Sequence, residues 1–368
     1  MKKSTIRGAL ALCLVFAMIA LGACSSGGGK LAKWKEEESF QGIDLSEYVT
    51  LGEYKGMEIT VLSEDVEDQV MRTARQELHT KSDKTTVEKG DVVIFDFEGT
   101  ANGISEDILQ GMKAEKATLV VGDNGFIPGF EEQIVGQTVG KAFDVEVTFP
   151  RIYEQEPELA GKGAVFHCTV HEIHEVDLTD AKVKEVMGGE YETLEAFYAD
   201  ARAYFAQPIQ QQNLEQGGSA AMEAAFGNAT VTGSPETELA MYQEIIKAEA
   251  AAEKQELEEY LTAVGLDPEN WVSQMEEQLH WEMFVFTVAQ KEDLVATEEE
   301  MNSFLERQLN PEDPSITADS ILEQIGGKNM LQRGLTQDKV MSFLYENAKK
   351  TVGAAVEETH TSDDGHVH

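Results

Sequence analysis

The chain has 368 residues, 42% of them hydrophobic and 26% charged, a globular balance that excludes a disordered polymer and gives room for two or three domains. Asp and Glu number 68 against 29 for Lys and Arg, a net charge of −39. So acidic a surface excludes nucleic acid as a partner and excludes docking to an anionic bilayer through a basic patch, because both need Lys and Arg facing phosphate.

Lys2, Lys3 and Arg7 form a basic start, and residues 9–20 are an unbroken apolar run too short to stay in a bilayer as a spanning helix. Leu21-Gly22-Ala23-Cys24 follows and resembles the bacterial lipobox. That resemblance implies a signal peptide over 1–23 and a diacylglycerol thioether on Cys24, which becomes the first residue. Several acyl chains hold a protein stably at a membrane. The mature chain would carry roughly −42, since all the charge removed is basic. Ser25-Ser26-Gly27-Gly28-Gly29 reads as a flexible tether, and residues 30–50, charged and without clear periodicity, as a linker. Of the three cysteines Cys13 falls in the signal, so Cys24 and Cys168 make no disulfide framework.

Residues 49–62 read as a short extended piece punctuated by Gly52 and Gly56. Val66, Val70, Met71, Ala74 and Leu78 recur at helical spacing over 64–79, so 51–86 is expected to be an arm of strand and helix. The character changes over 87–176. Residues 92–98 read as a strand. Phe143, Val145, Val147 and Phe149 alternate with Asp144, Glu146 and Thr148, the period of a half-buried strand, and 164–170 is another. Between them stand Gly103, Gly111, Gly122, Gly125, Pro128, Gly129, Pro150 and Gly161, which leaves a small antiparallel sheet domain with long loops and one short helix near 130–134.

Residues 177–352 are expected to be helical throughout. Leu194, Phe197, Tyr198, Ala201 and Phe205 form one stripe; Leu239, Tyr242, Ile245, Ile246 and Ala250 form another, which Gly265 can end. Asp267-Pro268 can start the next helix, and Thr297 with Glu300 makes a capping box. Gly326-Gly327 breaks the last region, which Val340, Phe343 and Leu344 close. Residues 353–368 are expected to be a disordered polar tail. No short internal repeat is visible.

Several motifs in order now carry a resemblance. Gly90-Asp91-Val92-Val93-Ile94-Phe95-Asp96-Phe97-Glu98-Gly99 opens like the FKBP-type peptidyl-prolyl isomerases. Gly122-Asp123-Asn124-Gly125-Phe126-Ile127-Pro128-Gly129-Phe130-Glu131 resembles their trigger factor branch, and Val147-Thr148-Phe149-Pro150, Tyr153, Leu159-Ala160-Gly161-Lys162 and Phe166 recur in family order. Leu51-Gly52-Glu53-Tyr54-Lys55-Gly56 looks like the arm of trigger factor, and the helical region resembles its carboxy-terminal chaperone domain at the level of pattern. The resemblance implies an α+β fold: an FKBP-like antiparallel sheet domain with a short helix over 87–176, plus an all-α chaperone domain over 177–352. A basic glycine-rich ribosome-binding signature is not seen, so ribosome binding is not expected; a signal and lipid site occupy that end instead.

The chemistry needs neither nucleophile nor proton transfer. Rotation about a prolyl bond breaks amide resonance, at a barrier of ~18–20 kcal/mol, and a protein gains by binding the twisted amide better than the planar one. The resemblance implies an aromatic cup for the proline ring lined by Phe97, Phe126, Ile127, Phe130, Tyr153 and Phe166. In it the Ile127 N–H meets the substrate carbonyl and Phe130 forms the floor. Ile108 or Leu109 stands where relatives often place a phenylalanine, and the aspartate that follows it in eukaryotic members is absent here. Filling of a sheet core is the competing reading of these aromatics.

No cofactor and no metal are expected. His167 and His171 are four residues apart on one strand face, ~13 Å, too far to share an ion, and His174 is expected on the other face. Asp363, Asp364, His366 and His368 read as a solvated tail. Cys168 shares a face with Phe166 and Val170, which points to a buried structural thiol. Trp271, Met275, Trp281, Met283, Phe284 and Phe286 read mainly as helix packing, with some available to line a client cradle.

The expected function is an extracytoplasmic, lipid-anchored prolyl isomerase and chaperone, whose partners are unfolded or nascent exported polypeptides containing proline. The alternative is a holdase or secretion adaptor on the same fold with a weak or inactive pocket. A solute-binding lipoprotein needs two α/β lobes of alternating strand and helix, a pattern this chain does not show.

Overall fold

The computed structural model describes residues 29–153, 155–309 and 315–353. The expected signal, Cys24, the Ser-Gly tether up to residue 28 and the tail from 354 lie outside the described residues. The strands in chain order are β1 (Val49–Thr50), β2 (Glu58–Val61), β3 (His79–Lys81), β4 (Val92–Ala101), β5 (Lys113–Val120), β6 (Ala142–Thr148), β7 (Gly163–Val176), β8 (Thr230–Val231) and β9 (Lys349–Val352). The chain divides into two compact units, one continuous over 64–210 and one made of 1–63 with 211–368. The fold is α+β, as the motifs imply. The unit boundaries do not coincide with the expected domain limits at 86/87 and 176/177. The arm is shared, with β2 in one unit and the helix Glu67–Glu77 in the other.

The continuous unit is built on a five-stranded antiparallel sheet in the order β3-β7-β4-β5, with β6 on the same side of β7 as β3 but nearer its start. The alternation along β6 appears as expected: Val145 and Val147 face Phe166 and Ala164 of β7 and are buried, while Asp144 and Glu146 are exposed. Their face joins Val93, Phe95, Phe130, Ile134, Phe166, Cys168 and Val170 in one core. The short helix Phe130–Ile134 packs on β6, and Gln133 ties it there. Its Nε2–H donates to the Gly129 and Glu146 carbonyls at 2.7 and 2.9 Å, and its Oε1 accepts from the Glu146 N–H at 3.1 Å. A second small core joins Ala74 and Leu78 to Val183 and Phe197, so residues expected to open the helical domain pack in this unit.

In the other unit the linker reading of residues 30–50 is overturned. Gly29–Glu36 is a helix, Leu45–Glu47 a single 3₁₀ turn, and Leu31, Trp34, Phe40, Leu45 and Val49 are buried in the main helical core. Leu31 and Trp34 share the helix, while Phe40 lies in a turn, Leu45 in the 3₁₀ turn and Val49 in β1, which is why no single period connects all five. The region expected to be helical throughout also holds two short strands. β8 pairs antiparallel with β1, and β9 pairs in parallel with β2, Glu58 opposite Lys349. Gly52 lies where a side chain would strike the Asn228 carbonyl at 2.1 Å, so the backbone approach there requires glycine. Asp267 and Pro268 form a turn ahead of the helix Trp271–Glu292 rather than its cap, which is Asn270.

Trp271–Glu292 is the central helix. Met275, Leu279, Trp281, Met283, Phe284, Val285 and Phe286 are buried around it, the mark of a helix enclosed on most sides. Packing therefore accounts for the methionine and aromatic residues there. Beside it Arg333 is buried among Glu238, Glu282 and Tyr242. Its guanidinium donates to Glu238 Oε2 at 2.6 Å, to Asn329 Oδ1 at 2.6 Å, to the Tyr242 hydroxyl at 2.9 Å and to Glu282 Oε2. A buried charge of this kind is tolerable only when so fully paired.

Candidate functional site: an aromatic cup on the sheet

β4 carries Phe95 and Phe97 two residues apart, so both rings face the same side of the sheet. β5 bulges opposite them, with Glu115 and Lys116 facing the single Asp96, whose Oδ1 accepts from the Lys116 N–H at 2.7 Å. That bond and the neighbouring His171, 2.7 Å away, hold the Asp96 carboxyl below its ordinary value. β7 places Phe166 opposite Gly99, where a Cβ would meet the Phe166 ring at 2.6 Å. Gly129, at φ 86°, turns the chain into the short helix that begins with Phe130.

These elements bring Phe95, Phe97, Phe126, Phe130 and Phe166 into one ring cluster. Phe97 meets Phe126 at 5.5 Å, Phe130 at 6.4 Å and Phe166 at 6.0 Å between centroids, each edge to face, and Phe130 meets Phe166 at 5.3 Å. Phe126 lies stacked on Phe130 at 4.5 Å. Each such pair adds about 0.5–1.5 kcal/mol beyond burial. Phe130 is fully buried, so the surface a guest meets is Phe97, Phe126 and Ile127, half-buried, with Phe130 beneath them. Ile108 and Leu109, on the short helix Glu106–Gly111, pack at the edge of the same core. Tyr153 packs on Phe149 at 5.1 Å, and its hydroxyl donates to Gln155 Oε1 at 3.0 Å; it borders this core without joining the five-ring cluster.

The loop carrying Phe126 and Ile127 is held from below by Glu131. This buried carboxylate accepts the N–H groups of Gly122 at 2.6 Å and Asn124 at 3.2 Å on Oε2, and that of Phe126 at 3.1 Å on Oε1. The next amide, the Ile127 N–H, makes no hydrogen bond among the described residues. An apolar cup with one free donor at its rim is what a prolyl bond needs: a slot for the ring and a partner for the adjacent carbonyl. The motif reading overlooked Phe95 and Glu131. The first was signalled by its same-face spacing to Phe97. The second gave no such signal, since its partners are backbone amides.

Among the described residues the histidines pair with neighbouring side chains rather than gather. His167 Nδ1 lies 2.6 Å from Asp144. His174 sits 2.9 Å from His79 and 2.9 Å from Glu172, and His171 is the extra residue of a second bulge, opposite β4. Among the described residues no three ligating side chains converge. Cys168 is buried, and burial pushes its thiol up to about 12.

Sheet and cup define an FKBP-type module, and residues 83–171 match the family described as FKBP-type peptidyl-prolyl cis-trans isomerase. Over a longer span the chain is 33% identical to the trigger factor of Bacillus cytotoxicus across 324 residues, which cover 83% of this chain and 74% of that one. It is 32% identical to the trigger factor of Anoxybacillus flavithermus over 332 residues and 33% identical to that of Halothermothrix orenii over 323, with the same coverage. The chain belongs to the trigger factor family. A solved chain from work on "Promiscuous Substrate Recognition in Folding and Assembly Activities of the Trigger Factor Chaperone" is similar at 18% identity and a TM-score of 0.39, covering 81% of this chain and 72% of that one.

Proposed function

We propose that the protein is a folding factor that catalyses prolyl cis–trans isomerisation in unfolded exported polypeptides and holds them while they fold, tethered outside the cytoplasm by a lipid on Cys24. The observation that carries the enzymatic reading is the Phe97–Phe126–Phe130 cup with the unpaired Ile127 N–H at its rim. A proline ring settles on Phe97 and Phe126, the Ile127 N–H holds the preceding carbonyl, and the twisted amide, having lost conjugation, loses little by leaving water. Family membership supports the chaperone reading. The lipobox-like Leu21-Gly22-Ala23-Cys24 supports the anchor, and the acidic surface suits a protein kept soluble beside sticky clients.

The test is a protease-coupled assay of a proline peptide, run beside Phe126→Ala. Phe126 is half-exposed, so its loss leaves the fold standing, whereas Phe130→Ala would also empty the core. Acceleration that falls tenfold or more in the variant supports the cup as the site; no acceleration above background removes the enzymatic reading. Export and lipid are tested separately. In a bacterial host the chain should take up labelled fatty acid and fractionate with membranes, and Cys24→Ser should do neither.

One observation favours a second reading, a holdase with a slow pocket. Phe126 lies flat on Phe130 and covers the floor. Suppression of client aggregation with unaccelerated isomerisation would identify it.

A further inference from the structure

Among the described residues β9 pairs with β2 alone, and all four of its residues are exposed. In a parallel pair the backbone groups of alternate residues face the neighbouring strand, and those of the residues between face away. Lys349 and Gly353 donate their N–H groups to the Met57 and Val61 carbonyls at 2.8 and 2.9 Å, which fixes the parity. The N–H and C=O groups of Lys350 and Val352 therefore point outward, and they make no hydrogen bond among the described residues. Such an open edge is a template for a further strand.

The side chains define what that strand should carry. Lys350 and Val352 stand opposite Ile59 and Val61, so they share the face on which those two are buried. Val352 is nonetheless 61% exposed. Lys350 lies over the Tyr345 ring, 3.7 Å from its centroid, and neither it nor Lys349 makes an ion pair among the described residues. Glu58, opposite Lys349, is the one acidic residue in the ladder. In a chain with 68 acidic and 29 basic residues, two adjacent lysines without partners reverse the sign locally. Screening over ~8 Å at physiological salt lets them act on a neighbour before the distant acids do. A small anion would leave the outward backbone groups unused. A second copy would bring the same two lysines and the same net charge of −39, so it would be repelled.

We propose that β9 takes up an extended acidic segment of a client polypeptide as a third strand. The client backbone pairs with the outward groups of Lys350 and Val352. On one face it sets a carboxylate beside Lys350 and, two residues away, an apolar side chain beside Val352. The proposal rests on the holding part of the proposed function and needs nothing from the cup.

The probe is a fluorescein-labelled peptide of threonines alternating with valine and glutamate, titrated into the full-length chain and followed by anisotropy. Saturable one-to-one binding is expected. Val352→Pro removes an outward N–H and fills its place with the ring, while the bonds to β2 stay. It should weaken binding at least tenfold without altering thermal unfolding. Lys350→Glu should weaken it at least fivefold, and a peptide with lysine in place of glutamate should regain affinity for that variant. Isomerisation of a proline peptide should be equal in the parent and both variants, so failure of the cup and failure of this edge are read separately. Absence of saturable binding, or full affinity in Val352→Pro, overturns the proposal. So does binding that appears only after residues 354–368 are removed, which assigns the edge to the chain's own end. A dimer in sedimentation that Val352→Pro dissolves assigns it to a second copy and overturns the proposal equally.

Discussion

Glu131 does more for the cup than any ring, because the loop bearing Phe126 and Ile127 has no sheet to lean on and takes its shape from three amides converging on one carboxylate. Glu131→Gln keeps the size and replaces one accepting oxygen with a donor, so at least one buried N–H loses its partner. The expected cost is about 1–3 kcal/mol in denaturant unfolding, with a fall in isomerisation kcat/KM as the loop loosens. Cys168 is a simpler case. Its thiol is pushed up to about 12 by burial, so almost none of it is thiolate at pH 8. An aromatic disulfide reagent should leave Cys168 unmodified in the native protein for hours and label it within minutes in 8 M urea; rapid native labelling would show that the β7 core opens.

At the scale of elements, the helix Glu236–Ala252 meets the short helix Leu257–Ala263 through a hydrogen bond from the Tyr260 hydroxyl to Glu249, 2.9 Å long. Burial pushes the Glu249 carboxyl up to about 7, more than the Tyr260 bond and the nearby Lys35 pull it down. A carboxyl raised above its unfolded value of 4.5 contributes stability that is fully present below that value and is lost as pH rises through about 7. The helical unit should therefore lose thermal stability between about pH 4.5 and 7 and level off above that, and Glu249→Gln should flatten the slope in melts at stepped pH.

How far such elements could be read in advance varied with the range of their partners. β6 was legible because its alternation is local and one face is buried, and the cup because its aromatics sit in short ordered motifs. The capping box at Thr297 and Glu300 forms as read. Residues 30–50 were opaque because their large apolar side chains are few, spread over a helix, a 3₁₀ turn and a strand, and sorted only by a distant core. β9 was opaque for a different reason: all four of its residues are exposed, and its pairing to β2 lies far away along the chain.

For the whole molecule, the two units differ in how they are assembled from the chain. Residues 64–210 are contiguous and hold both the sheet and the cup. A fragment of those residues should melt cooperatively by circular dichroism and, on the isomerase reading, keep most of its activity. A non-cooperative melt would show that the sheet depends on the remainder. The complementary unit is discontinuous and should show no transition from either of its segments alone.

The parallel pairing of β2 with β9 has a consequence for how the protein comes into being. Val61 meets Val352 only after about 290 further residues have been made, which takes roughly 15 to 60 s at the usual pace of synthesis. Trp34 and Phe40 pack on Tyr242, Phe286 and Arg333, so for most of that interval they have no core to enter. For much of its synthesis the chain is thus unfinished, with apolar residues near its start uncovered until the far end of the sequence arrives.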